Sequence, residues 1–310
     1  MITQNQIEHI LHKQHVMEDL KQSLEEDIPE YIDEAVSIYT EWLDDIKWDS
    51  HERRKDSIRY CDKREIVTRI LTSITMYCQN MMTLVSIGSM INLSDELDRL
   101  DSVQLTCDLI ALLEPVGLYE LVKNLSGTIT VHSFVEPNES ILRRIRLSSY
   151  LPPMVTKPDT LYSNTDCAYK TINKDSLILR DKANQHNGNI GLDVLNKQNA
   201  IEYELDNHII DDVKPWHRQV LTPTELTLLP YEEQEIYKKE LVTRETYLEQ
   251  FIYLKSLIKD RTIYFTHKVD KRGRIYSQGY AINVQGNSYQ KACVDLVKKD
   301  YIEVPDDYFS

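Results

Sequence analysis

Apolar residues recur at helical spacing through the first half of the chain. Ile32, Val36, Tyr39 and Leu43, for example, fall at i, i+4, i+7 and i+11, on one face of an amphipathic helix. Residues 64–92 are rich in apolar side chains on all sides, which predicts a central, buried helix. The pattern therefore predicts a helical N-terminal region.

Two further elements are predicted in this region. Ser94 and Asp95 are cap residues for a helix that ends near Leu113, before Pro115. Residues 128–135 are β-branched and alternate in polarity, as is typical of a strand.

A proline cluster interrupts the helical pattern near the middle of the chain. Pro152, Pro153 and Pro158 hold the backbone extended and end helices. We therefore expect a domain boundary here, which gives a helical N-terminal region at 1–150 and a second region at 151–310.

The second region mixes helical and alternating patterns. Residues 159–188 are expected to form irregular strands and turns. The predicted helices are 189–210, 231–258 and 287–299, and the predicted strands are 262–269 and 274–282. The chain is thus predicted to be an α+β protein, mainly α, whose last two strands form a β-hairpin.

Charge is distributed unevenly along the chain. The 310 residues include 36 Lys and Arg against 50 Asp and Glu, a net charge of −14. This balance argues against a protein whose whole surface binds DNA or anionic lipid. Residues 1–60 carry a net −8, whereas residues 261–276 hold five basic residues and one acidic residue, a net +4. The sequence therefore indicates a local basic site in an acidic protein.

Residues 70–94 contain no charged side chain and are long enough to span a bilayer. Ten of these 25 residues are Ser, Thr, Asn or Gln, so we expect a buried helix of a soluble bundle, with no membrane as a partner. The five cysteines form no Cys-x-x-Cys pair, which favours free thiols in a reducing compartment.

The basic segment contains the candidate chemistry. Two strands joined by Asp-Lys-Arg-Gly would form a basic hairpin, in which Gly273 allows a positive φ. Arg272 and Arg274, two apart on an extended chain, would share a face and grip phosphate oxygens with forked hydrogen bonds. Asp270 is suited to holding one of these arginines in position.

Neutral hydrogen-bonding side chains follow the hairpin. Asn283, Gln285 and Asn287 offer donors and acceptors suited to a nucleic-acid backbone or base edge. These residues alone favour the simpler interpretation, a basic surface hairpin with a purely structural Asp–Arg pair.

The segment closely resembles the Asp-x-Arg-Gly-Arg-x-Tyr…Asn-x-x-Gly block of the single-subunit, phage-type RNA polymerases, the family of the T-odd phage and mitochondrial enzymes. The matching residues are Asp270, Arg272, Gly273, Arg274, Tyr276, Asn283, Gly286 and Lys291. In the family this block lies beside the active site and binds the template strand and the RNA–DNA hybrid. The resemblance implies that role for Asp270, Arg272, Gly273, Arg274 and Tyr276, and a supporting role for Asn283, Gln285, Gly286 and Lys291.

Two upstream segments resemble the same family in the same order. Residues 151–158 are similar to its Pro-Met-x-x-x-Pro segment, and residues 195–206 are similar to its Leu-Asn-x-x-Gln-x-x-x-Trp-x-Ile-Asn helix. The second match is softer. Asn199, Tyr203, Leu205 and Asp206 stand where the family has Gln, Trp, Ile and Asn.

The sequence lacks the family's metal-binding motifs, Asp-Gly-Ser-x-x-Gly-x-Gln and His-Asp, and its nucleotide-binding Lys…Tyr-Gly helix. Two-metal phosphoryl transfer needs those carboxylates. The resemblance therefore implies the small, palm-proximal subunit of a split DNA-directed RNA polymerase, as in Enquatrovirus-like phages. The second subunit would carry palm, fingers and Mg²⁺, and NTPs would bind at the shared site. The implied location is the cytoplasm of the infected bacterial host, with an auxiliary template-loading factor as a further partner.

Two other interpretations stay open. In the first, the chain is a catalytically independent nucleic-acid-binding or scaffold protein. In the second, it is a piece of a longer polymerase. His9, His12 and His15 have helical spacing without a completing carboxylate, so we expect a solvated helix face there rather than a metal site.

Overall fold

The computed structural model describes residues 2–45, 49–79, 81–148, 151–179, 188–212, 221–279 and 281–299. The chain forms two compact units: a helical unit, Lys13–Ile145, and a C-terminal unit, which comprises residues 1–12 and 146–310. The expected boundary near residue 150 lies close to the second division point. The first twelve residues, in contrast, cluster with the C-terminal unit.

The first helix, α1 (Gln4–Leu11), belongs to the C-terminal unit because its side chains complete that unit's hydrogen bonds. The buried carboxylate of Glu8 accepts hydrogen bonds from the backbone amides of Lys170 (2.9 Å) and Thr171 (2.7 Å). The Gln4 side chain accepts one from the amide of Val155 at 2.8 Å. A buried carboxylate needs such donors, so these contacts fix where α1 packs.

The helical unit is built mainly from helices and a three-stranded antiparallel sheet with strand order β1-β3-β2. Its helices are α2 (Lys13–Asp27), α3 (Pro29–Asp44), α4 (Asp49–Asp56), α5 (Lys63–Tyr77), α6 (Leu84–Met90), α7 (Arg99–Leu113) and the first part of α8 (Glu139–Leu147). Its strands are β1 (Met82–Thr83), β2 (Tyr119–Lys123) and β3 (Ile129–Ser133). Helix α5 is the most deeply buried, with ten of its residues in the core.

The predicted helix over 64–92 is wrong in its second half. Helix α5 ends at Tyr77, β1 follows, and α6 begins at Leu84. The break occurs because Met82 pairs with Val131 of β3, and the side-chain amide of Gln79 donates to the carbonyls of Thr75 in α5 and Val135 after β3. The burial predicted from apolarity on all sides is confirmed for α5, but it is wrong in the second half, where Met81 and Val85 are 67% and 65% exposed.

The other predictions for this unit agree better with the structure. Helix α7 ends at Leu113 as predicted, although its cap is Asp98, whose side chain accepts from the amide of Asp101 at 2.9 Å. The predicted strand at 128–135 is confirmed as β3. Its partner β2 was not predicted.

The C-terminal unit combines short strands with one long helix. Its remaining helices are α9 (Leu192–Asn199), α10 (Asn207–Asp212), α11 (Pro223–Thr227), α12 (Tyr231–Ile258) and α13 (Ser288–Ala292). Its strands are β4 (Tyr203–Leu205), β5 (His267–Val269), β6 (Ile275–Ser277) and β7 (Val294–Leu296). The predicted helix 231–258 is confirmed by α12 at both ends.

The predicted helices over 189–210 and 287–299 are both wrong in part, for a shared reason. Strand β4 interrupts the first and β7 the second, and these two strands pair in antiparallel fashion, Tyr203 opposite Leu296 and Leu205 opposite Val294. Pairing between segments about 90 residues apart leaves no local period to detect. The family-like segment 195–206 is accordingly helix only up to Asn199.

The fold class is as predicted: α+β, mainly α, with small sheets of two or three strands. No helix in the described ranges is long and apolar enough to cross a membrane. All five cysteines are free thiols.

Candidate nucleic-acid interface

The basic hairpin consists of β5 and β6, which pair with His267 opposite Ser277 and Val269 opposite Ile275. Val269 is 2% exposed and packs in a small core with Leu177, Ile178 and Leu195. The base of the hairpin is thus fixed by burial, while its turn reaches solvent.

The turn from Asp270 to Arg274 is closed by the backbone. The Asp270 amide donates to the Arg274 carbonyl, and the Gly273 amide donates to the Asp270 carbonyl, both at 2.9 Å. Gly273 has φ of +78°, a left-handed conformation that glycine adopts without steric cost. One carboxylate oxygen of Asp270 accepts from the amides of Arg272 (2.9 Å) and Arg274 (3.0 Å), which fixes the turn further.

The second carboxylate oxygen of Asp270 holds the Arg274 side chain. Oδ2 lies 2.7 Å from Nε and 2.6 Å from Nη2 of Arg274, and the Tyr276 hydroxyl donates to it at 3.2 Å. The guanidinium carbon lies 5.7 Å from the centre of the Tyr276 ring. One carboxylate and one aromatic ring therefore orient this arginine together.

These contacts keep both charges in place. Partial burial acts to raise the pKa of Asp270, but hydrogen bonds from Arg274, Arg272 and Tyr276 outweigh it and lower that pKa to about 2. The bond to Asp270 also raises the pKa of Arg274. The Arg274 side chain is 60% exposed, and its Nη1 has no hydrogen-bond partner among the described residues. The guanidinium is held from one side and open on the other.

Lys271 and Arg272 form the tip of the turn. Both are exposed, and neither side chain has a partner within the described part of the chain. Arg272 and Arg274 were expected to share a face of an extended chain. Both lie in the turn instead, before β6 begins at Ile275, so their relative placement is set by the turn.

Asn283 and Gln285 lie beside the hairpin, but their amides are used within the protein. Gln285 accepts from the Ser277 amide at 2.8 Å and donates to the Ile275 carbonyl at 3.2 Å, as a paired strand would. Asn283 donates to the Gly279 carbonyl at 2.7 Å and accepts from the Gln285 amide at 2.8 Å. Both side chains fasten the following loop to β6.

Gly286 and Lys291 frame the short helix α13. A Cβ on Gly286 would lie 2.1 Å from a side-chain oxygen of Gln290, so the glycine permits a close approach. That Gln290 forms a capping box with Asn287, which is therefore a helix cap. Lys291 is exposed in the last turn, with no side-chain partner in the described ranges.

A buried polar pair beneath the hairpin was not predicted. His267 Nδ1 lies 2.9 Å from Asn199 Oδ1, and both side chains are buried. Burial lowers the pKa of His267 to about 4, so the ring is neutral at pH 7. The sequence could have predicted that His267 is buried, because in an alternating strand it lies on the same face as the buried Val269, two residues later.

The three spaced histidines do not lie on one helix, because α1 ends at Leu11 and α2 begins at Lys13. His12 is buried, with its ring 5.4 Å from Tyr169 in an edge arrangement, so the expectation of a solvated face is wrong at this position. His15 belongs to the helical unit, whereas His9 and His12 belong to the C-terminal unit. No group of three or more His, Cys, Asp or Glu in the described ranges is placed to hold a metal.

No protein-family model matches this chain, and no curated protein matches it either.

Proposed function

We propose that this chain is the small subunit of a heterodimeric, phage-type DNA-directed RNA polymerase, a nucleotidyltransferase, and that its hairpin binds template DNA and the RNA–DNA hybrid. The observation that carries the proposal is the exposed Arg274, held by Asp270 and Tyr276 in a fixed orientation. The likeness of the surrounding residues to the polymerase block supports the same assignment.

The hairpin's chemistry suits phosphate oxygens. A guanidinium already held by Asp270 loses little side-chain freedom when its open edge binds a phosphate. Lys271 and Arg272 add two cations at the tip, which favour a polyanion through counterion release. Asn283 and Gln285 support this surface indirectly, because their hydrogen bonds fix the loop after β6. Gly286 and Lys291 lie before and within α13, the helix that follows this loop.

The reaction itself would take place at an active site completed by the second subunit. The proposal assigns Mg²⁺ to that subunit, because the family's aspartate motifs are absent from this sequence. The ions would activate and stabilise the reacting oxygens of NTPs at the shared site. This chain's own part is to position the hybrid, in the cytoplasm of the infected host, with a template-loading factor as a further partner.

The decisive experiment is co-purification of this chain with the product of the adjacent gene, followed by transcription assays of each chain and of the mixture. We expect RNA synthesis with template, NTPs and Mg²⁺ only from the mixture. Robust synthesis by the highly purified single chain would contradict the split site. Hybrid binding without synthesis in any combination would support the independent nucleic-acid-binding protein instead.

A further inference from the structure

The helical unit contains a groove that the proposed function does not use. It lies between the junction of α2 with α3 and the segments that flank the β2–β3 hairpin, and it encloses about 330 Å³. Its lining residues are Leu20, Ser23, Leu24, Asp27, Ile28, Tyr31, Gly117, Leu118, Phe134, Val135, Glu136 and Pro137. The volume is at the lower end of the roughly 300–1,000 Å³ typical of ligand clefts.

The groove has a buried floor and an exposed aromatic wall. Leu20, Leu24 and Leu118 are at most 7% exposed, whereas Tyr31 and Phe134 are 46% and 53% exposed. The position of Phe134 is fixed, because its amide donates to the Leu118 carbonyl at 2.9 Å and its ring packs edge-on against a histidine. Tyr31 and Phe134 line the same groove, and contiguous exposed apolar surface of this kind marks interaction sites.

The charges at the groove all have one sign. Asp27 and Glu136 are exposed carboxylates among the lining residues, which include no Lys or Arg. The Asp27 carboxylate accepts a hydrogen bond from Ser23 at 2.8 Å, and neither acid has a cationic partner within the described ranges. Residues 13–145 hold 25 acidic and 14 basic residues, a net −11, so the surrounding field also attracts cations.

We propose that this groove docks a peptide segment of another protein, one that carries one or two large apolar side chains flanked by Lys or Arg. The apolar side chain would lie on the leucine floor between Tyr31 and Phe134, and the flanking cations would pair with Asp27 and Glu136. Aromatic anchors give most of the affinity at such sites, and rim charges give steering and selectivity. This surface is independent of the hairpin and of the proposed polymerase function.

The experiment is a selection of random twelve-residue peptides displayed on phage, with the full chain as target. Tyr31→Ser/Phe134→Ser serves as counter-target, since both side chains are about half exposed and neither belongs to the buried core. We expect enrichment of peptides with Leu, Ile, Phe or Trp next to Lys or Arg. An absence of enrichment, or enriched peptides without basic residues, would overturn the proposal.

The best selected peptide, labelled with fluorescein, would then be titrated with each variant. The Tyr31→Ser/Phe134→Ser variant should bind at least about tenfold more weakly, as expected for the loss of interface anchors. Asp27→Asn/Glu136→Gln should bind roughly threefold to tenfold more weakly, with a weaker dependence on salt. Circular dichroism would establish that both variants are folded.

The matched controls lie outside the groove. Tyr60→Ser removes an aromatic side chain that is 95% exposed, and Glu34→Gln removes an exposed carboxylate. Both, together with Arg274→Ala in the hairpin, should bind the peptide like the unaltered chain. Equal loss in a control, or self-association of the chain that the groove variant abolishes, would contradict a peptide-docking site.

Discussion

Two turns in the protein share one backbone design but present different chemistry. Asn124 and Asp270 occupy the first position of the two five-residue turns, and Gly127 and Gly273 the fourth. In both, the first amide donates to the fifth carbonyl (3.0 and 2.9 Å) and the glycine amide donates to the first carbonyl (3.0 and 2.9 Å). In both, the first side chain accepts from the fifth amide, at 2.9 and 3.0 Å, and the glycine has φ near +80°.

The side chains between these positions differ completely. The β2–β3 turn presents Leu125 and Ser126, whereas the β5–β6 turn presents Lys271 and Arg272. Asp270 has a second charged oxygen, which an asparagine lacks, and uses it to hold an arginine. Because the turn that begins at Asn124 forms the same hydrogen bonds without charged side chains, the β5–β6 turn does not need its charges to form. Its basic residues are therefore available for a ligand.

The largest expected effect comes from removing the held arginine. Arg274→Ala should reduce RNA synthesis by the reconstituted complex on a preformed hybrid by about 100-fold, because it removes an oriented, charge-assisted contact to phosphate. The complex itself should stay intact on size-exclusion chromatography. Extension of the hybrid is followed by gel electrophoresis.

The matched control is Arg64→Ala in the helical unit. Arg64 is also a partly exposed arginine paired with an aspartate, Asp33, but it lies on a helix surface. We expect its loss to leave synthesis unchanged, since exposed ion pairs contribute little to stability. Normal elongation by Arg274→Ala would show that the assigned role is wrong.

Asp270→Asn tests the two roles of Asp270 independently, one in the turn and one in holding Arg274. The asparagine of the other turn shows that an amide oxygen is enough to accept the fifth amide, so we expect the turn to persist. The variant loses the forked pair with Arg274, and affinity for a labelled RNA–DNA hybrid should fall roughly tenfold. Fluorescence anisotropy measures the affinity, and amide chemical shifts of the turn report its backbone.

The reverse change, Asn124→Asp, should leave hybrid binding unchanged. Unaltered hybrid affinity in Asp270→Asn would mean that orientation of the arginine is unimportant. Collapse of the turn in that variant would mean that the two turns are not equivalent.

Protonation of Asp270 should have the same effect as the substitution Asp270→Asn. Because the pKa of Asp270 is lowered to about 2, the stability that its charge contributes through Arg274 is fully present above the ordinary carboxyl pKa near 3.8 and is lost as the pH falls through about 2. NMR titration of the carboxyl carbon should give a midpoint near 2 in the unaltered chain, and a higher one in Arg274→Ala. Equal midpoints would show that Arg274 does not stabilise the carboxylate.

The sequence was sufficient where the signal was local. The Asp270–Arg274 pair spans one turn and Gly273 marks its geometry, so residue type and spacing predicted the contact. Both ends of helix α12 were predicted correctly, although its buried residues, Tyr247, Gln250, Phe251, Leu254 and Ile258, all lie in its second half.

Contacts between segments far apart in the sequence could not be predicted in the same way. The pairing of β4 with β7 and the β1 interruption depend on segments that local periodicity cannot connect. Asn283 and Gln285 were predicted to be free donors because an amide has the same chemistry towards a phosphate and towards its own backbone. Only the fold determines which of these two partners the amide binds. The acidic groove escaped prediction for the same reason, since α2 and the segment after β3 supply Asp27 and Glu136 separately.

The two glycines allow a smaller, paired test. A Cβ at Gly127 or at Gly273 would meet no atom within 4 Å, so each substitution by alanine carries only the conformational cost of the positive φ, about 1–2 kcal/mol. We expect Gly127→Ala and Gly273→Ala to lower the free energy of unfolding by similar amounts in urea denaturation. Only Gly273→Ala should also weaken hybrid binding, by a few-fold, because it disturbs the turn that carries Arg272 and Arg274.

Equal weakening of hybrid binding by both alanine variants would contradict the assignment of binding to the β5–β6 turn. A much larger loss of stability in one variant would show that the surroundings of the two glycines differ.

The smallest expected effect concerns the unpaired tip. Arg272→Ala should weaken hybrid binding only about twofold to threefold near physiological salt, because an exposed cation at the tip acts through the general attraction for phosphate. Its signature is the salt dependence: the slope of log affinity against log salt should become shallower by about one unit. Titrations at four or more salt concentrations measure it.

Lys238→Ala is the control for this slope, because Lys238 is an exposed cation already paired with Glu235 at 2.8 Å. Its slope should equal that of the unaltered chain. If Arg272→Ala leaves the slope unchanged while Arg274→Ala reduces it, the tip does not reach phosphate and the interface is confined to the held arginine. If neither variant changes the slope, the hairpin does not contact the nucleic-acid backbone, and the difference between the two turns has another cause.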